Sequence, residues 1–87
     1  MSGNIHRLLI DAASCPDKDA LFDVLETLLP LQARNFDALH DELTALCRRT
    51  RIDVMHTHTV SGRHIDVLLR VLADSASENA KLTVVLT

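Results

Sequence analysis

The chain has 87 residues, is 47% apolar and 24% charged, and carries a formal net charge of −3. This is the composition of one globular domain spanning residues 1–87. So short a chain buries only about 60–65% of its unfolded surface, which allows one modest core and little room for an enclosed active site. With two phenylalanines and no tryptophan or tyrosine, it lacks the stacking surface that base recognition uses. Its charge runs against nucleic acid and anionic membranes.

Ile5–Ile10 predicts a first strand, with Leu8 and Ile10 on one face and Leu9 on the other. Asp11–Pro16 breaks it. A helix is predicted over Lys18–Leu28, capped by Asp17, with Leu21, Val24, Leu25 and Leu28 as its buried stripe. Pro30 stops that pattern. A second helix, 36–48, starts at Phe36 with Asn35 as cap, and Phe36, Leu39, Leu43, Leu46 and Cys47 make its apolar face. The two helices, joined by residues 29–35, are expected to pair antiparallel.

Arg48–Arg51 forms a basic turn before a second strand, Ile52–His56, whose facing is not clean. Thr59–Gly62 is a loop. A third helix runs from His64 to Ser75, with Ile65, Leu68, Leu69 and Leu72 facing the core and Asn79 as a left-handed cap. Leu82–Leu86 is apolar on both faces, the pattern of an interior strand covered by helices. The order is β-α-α-β-α-β, and short strands separated by helices favour a mostly parallel sheet with right-handed crossovers.

Charge is unevenly spread. Residues 11–42 hold eight acids against Lys18 and Arg34, a local net of −6, while positive charge collects at Arg48, Arg49 and Arg51. On the second helix Asp37 and Asp41 lie one turn apart, with Thr44 beside them and His40 at the boundary with the apolar face. Like charges at this spacing repel by a few tenths of a kcal/mol. The helix dipole favours Asp37 in the first turn but gives no reason for Asp41. A helix that keeps both exposed is offering them to a positively charged partner.

Other chemistries have little support. His56 and His58 share a strand face and His64 is a third imidazole, yet zinc takes four ligands, or three and a water, so no metal or other cofactor is expected. No nucleophile–base pair or phosphate loop is present, and a convex helix face offers no pocket to shift carboxylate pKa values. The chain is read as a non-enzyme. Cys15 and Cys47 are read as reduced thiols in apolar surroundings. Met1–Asn4 does not open a signal peptide, and no segment reaches the roughly 20 apolar residues of a membrane span. The expected location is the cytoplasm.

Leu29-Pro30 followed by Asn35-Phe36-Asp37-Ala38-Leu39-His40-Asp41-Glu42-Leu43 resembles the barstar family of intracellular ribonuclease inhibitors, as does the closing Ala80–Thr87. The family pattern is a proline, an aromatic-aromatic-glycine turn, then Asn, an aromatic residue or Leu, and Asp-Ala-Leu-Trp-Asp. The resemblance implies a barstar-like α/β fold, a three-stranded parallel sheet packed with three helices. It also implies a function: blocking the active site of a ribonuclease or related basic toxin with carboxylates of the second helix. Asp41 matches the dominant inhibitory acid, Asp37 a second one and Asp74 an acid near the end of the last helix, with importance falling in that order. His40 stands where the family has an interface tryptophan, and Thr44 and Arg34 complete the expected partner-binding set. The turn Leu31–Arg34 is one residue shorter than the family's and lacks its tyrosines and glycine. Interfaces draw much of their energy from such aromatic anchors. The alternative is therefore a non-inhibitory protein-binding adaptor of the same fold.

Overall fold

A computed structural model gives the structure of the chain over residues 5–87. The expectation about a signal peptide falls on residues 1–4, which lie outside the described residues. The elements are β1 (His6–Asp11), a 3-10 turn (Ala12–Ser14), α1 (Lys18–Leu28), α2 (Phe36–Thr44), β2 (Thr50–Met55), α3 (Arg63–Glu78) and β3 (Leu82–Leu86). The strands form one parallel sheet in the order β1-β2-β3, with Leu8 opposite Ile52 and Ile52 opposite Val84. This is the expected three-stranded parallel sheet with three helices, and the element order matches the barstar-like topology.

The strand order dictates how the layers stack. Two crossovers of the same hand between consecutive neighbours place all the helices on one face of the sheet. Burial follows that rule. Leu8, Ile10, Thr50, Ile52, Val54 and Leu82 point inward and are buried, whereas Leu9 on the other face is 57% exposed. The facing of β2 is thus clean, contrary to the sequence reading, because Thr50 joins Ile52 and Val54 on the inner side. β3 also departs from expectation. It is an edge strand with only Leu82 buried, and Leu86 is 46% exposed. The interior strand is β2, so the doubly apolar run of β3 is not sandwiched between helices. Among the described residues no helix is long and apolar enough to cross a membrane.

α1 has its predicted bounds, and the Asp17 carboxylate accepts the Ala20 N–H at 2.8 Å. Its buried face includes Phe22, which the aliphatic stripe omitted, while Val24 and Leu28 are only half-buried. Phe22 meets the Phe36 ring edge-on at 5.1 Å. The expected near-antiparallel α1–α2 pair does not form: both helices pack on α3, α2 far more extensively than α1.

α2 ends at Thr44 rather than at 48. The Asn79 amide explains where it stops: Nδ2 lies 3.0 Å from the Leu43 carbonyl oxygen and 3.1 Å from that of Leu46. The Leu43 carbonyl belongs to the last turn of α2, where carbonyls lack the usual helical donor, and Leu46 lies in the turn just beyond. Asn79 itself is extended (φ −132°), not left-handed; its backbone N–H closes α3 on the Ser75 carbonyl oxygen at 2.9 Å, while its side chain caps α2. Because the helix stops early, Cys47 falls beyond it and is exposed, not apolar-packed as expected, whereas Cys15 is buried. Both are free thiols. α3 runs from Arg63 to Glu78, longer at its end than the predicted His64–Ser75.

Candidate functional site

The acidic face is built by the start of α2. Asn35 is extended, and its side-chain oxygen accepts the Ala38 N–H at 2.7 Å. That cap begins the helix at Phe36 and sets Asp37 in the first turn, where the positive end of the dipole favours a carboxylate. Asp41 follows one turn later. Both are exposed. With Glu42 from the helix and Gln32 and Ala33 from the preceding loop, they line an open concavity of about 470 Å³. Among the described residues, neither Asp37 nor Asp41 takes part in an ion pair. A depression with three carboxylates is suited to cationic groups, above all the planar fork of an arginine.

The other expected site residues have internal contacts. Arg34 reaches back to α1, with Nη2 at 2.7 Å from Asp19 Oδ1 and 3.1 Å from Asp23 Oδ1, and Nη1 pairs with the Glu26 carboxylate. Partial desolvation pulls its pKa down, but the hydrogen bonds to Asp23, Asp19 and Glu26 prevail and raise it. This clamp absorbs part of the acidic run and pins the loop that leads into α2. His40 Nε2 lies 2.7 Å from Glu78 Oε2 and ties α2 to the last turn of α3. The Thr44 hydroxyl donates back into its own helix, 2.9 Å from the His40 carbonyl oxygen. Asp74 is exposed on α3, one turn before Glu78.

Sequence reasoning singled out neither Glu42 as a wall of the concavity nor Glu78 as the partner of His40. Glu42 was legible as the next acid after Asp41. The Glu78 contact joins residues 38 apart in the chain and left no local signal.

The histidines do not converge. His56 Nδ1 is 2.7 Å from Asp11 Oδ1, and His64 Nε2 is 2.7 Å from the Cys15 carbonyl oxygen, to which it donates. His58 is exposed. Among the described residues no three His, Cys, Asp or Glu side chains are grouped to hold a metal ion. His56 adopts φ 63°, which ends β2 and swings its ring toward β1. Its hydrogen bond, aided by the Ala13 N–H, holds the Asp11 carboxyl below the usual carboxylate range. Burial and the Asp11 charge push the Cys15 thiol up.

Comparison of the sequence with protein-family models gives no match, and comparison with curated proteins gives none either.

Proposed function

We propose that this chain is a divergent member of the barstar family: a cytoplasmic, non-enzymatic immunity protein that binds a ribonuclease or related basic toxin and blocks its active site. Asp37 and Asp41 are the blocking carboxylates, with Asp41 the stronger and Asp74 a weaker contributor at the side. One observation carries the reading. These two carboxylates stand together over an open depression with no ion-pair partner among the described residues, while Arg34 and His40 are engaged within the chain. An inhibitor of this kind needs no nucleophile of its own; its carboxylates stand where substrate phosphates would lie and pair with the enzyme's cations. Complementary charge also speeds the encounter, which suits a protein that must intercept a nuclease inside its own cell.

A second reading, an adaptor that binds a basic protein without inhibiting a nuclease, draws on His40. It occupies the position of the family's interface tryptophan, and its ring is hydrogen-bonded to Glu78. The two readings part in one experiment. The tagged chain is used to capture partners from the source cell, and the captured protein is assayed for nuclease activity with and without added inhibitor. A captured nuclease or toxin silenced at stoichiometric ratio supports inhibition. A captured partner that is neither overturns it in favour of the adaptor.

A further inference from the structure

We infer that the groove where the three helices begin is a binding site for a small free carboxylic acid with an apolar body. The groove is open to solvent, with a volume of about 410 Å³, and its walls include Pro16, Lys18, Phe36, Arg63, His64 and Val67. It shares no lining residue with the acidic concavity of α2. Small-molecule sites have this size and this make-up, an apolar floor with a few convergent polar groups.

Contacts within the chain hold Phe36, Lys18 and His64 in place. Phe36 is half-buried and braced edge-on by Phe22 at 5.1 Å. Lys18 Nζ stands 5.6 Å from the Phe36 ring centroid, at cation–π distance, so the ammonium sits over the aromatic floor. The His64 ring is fixed by the bond from Nε2 to the Cys15 carbonyl and by its seat on Gly62, where a Cβ would come within 2.7 Å of Cε1. Glycine at 62 is therefore a requirement of the groove wall. Arg63 is exposed and makes no ion pair among the described residues. The one acid at the groove, Asp17, is occupied in capping α1 through the Ala20 N–H.

Charge complementarity selects the ligand. Lys18 and Arg63 outnumber the one carboxylate at the groove, Asp17, so the apolar floor is bordered by net positive charge in a chain whose net charge is negative. An anionic head would pair with Arg63 and Lys18, and an apolar tail would cover Phe36 and Val67. A nucleotide is disfavoured because one phenylalanine cannot sandwich a base. A neutral apolar molecule would leave the cations desolvated without compensation.

The test is a titration of the full chain with octanoate at neutral pH and low salt, followed through backbone amide NMR shifts. Saturable shifts centred on Lys18, Phe36, Arg63 and Val67 are expected. Octanol should bind about tenfold more weakly or worse, as should octanoate to the Lys18→Gln, Arg63→Gln double variant. Val67→Trp should fill the groove and abolish binding in a protein whose spectrum stays folded; should it unfold, the double variant at two exposed positions decides. The inference is overturned if shifts fail to saturate by about 10 mM octanoate, or if they map to Leu9 and Leu86. It is equally overturned if octanol matches octanoate, or if the double variant binds normally. Tighter binding of a short peptide ending in a free leucine carboxylate would overturn the free acid as ligand.

Discussion

The two flanks of α2 are made of similar residue types and put to opposite use. On the solvent flank Asp37 and Asp41 repel each other and lack an ion-pair partner among the described residues. On the α3 flank His40 meets Glu78, and the end of the helix is held by Asn79. The difference teaches where to look for function in a domain of this size. Polar groups that the fold consumes hold the helix in place; those it leaves unsatisfied, at a small cost to the helix, are what the helix presents.

The sharpest way to break this comparison is the Asp37→Ala, Asp41→Ala double variant. Each truncated carboxylate facing enzyme cations should cost about 2–5 kcal/mol of binding, with Asp41→Ala the larger, while thermal stability changes by less than about 1 kcal/mol, because the relief of repulsion is offset by the lost dipole interaction of Asp37. Calorimetric titration against the captured partner measures the first and a melting curve the second; unchanged affinity would remove the acidic flank from the interface. Next in size, Phe22→Ala should cost about 3–5 kcal/mol of stability because the ring is fully buried. Phe36→Ala should cost clearly less, since that ring is only half-buried. Denaturant unfolding of the pair gives both values.

On the α3 flank, Asn79→Ala should cost about 1–3 kcal/mol, because it leaves carbonyls at the end of α2 without their donor. Faster amide exchange in the last turn of α2 would locate the damage there. The smallest effect is the pH dependence of the β1–β2 clasp. The folded-state pKa of Asp11 is lowered by His56, so its contribution is present above the unfolded carboxylate value and is lost as pH falls through the folded one. Stability should therefore drop below about pH 4. In His56→Ala this component of the acid sensitivity should shrink, a difference read from denaturant midpoints between about pH 5 and pH 2.

Much of the fold was legible where its determinants are local. Asp17 and Pro30 bracket α1, and Asn35 starts α2, because caps and breakers act within a turn of their own position. The ends set by distant groups were not legible. α2 stops early because Asn79, more than thirty residues away, takes its carbonyls. β2 starts at Thr50 because that residue pairs between His6 and Leu82. β3 reads as an interior strand because its residues are apolar on both faces, but an edge position is a property of sheet order, which no single strand encodes. Of the candidate site residues, the adjacency of Asp37 and Asp41 follows from helical periodicity alone. The clamp on Arg34 and the bond from His40 to Glu78 are contacts between separate elements that no pattern in the chain announces.

Asn79 is also the point at which chemical ageing would reach α2. Its amide nitrogen donates toward the carbonyls of Leu43 and Leu46 while its oxygen accepts the Lys81 N–H. Slow hydrolysis of that amide, an ordinary route of protein ageing, would replace the donor with a carboxylate oxygen facing acceptors. The loss would fall on the helix that carries Asp37 and Asp41. An aged preparation would then lose order in α2 before it lost its sheet, and the age of a sample would become a variable in any measurement of what that helix binds.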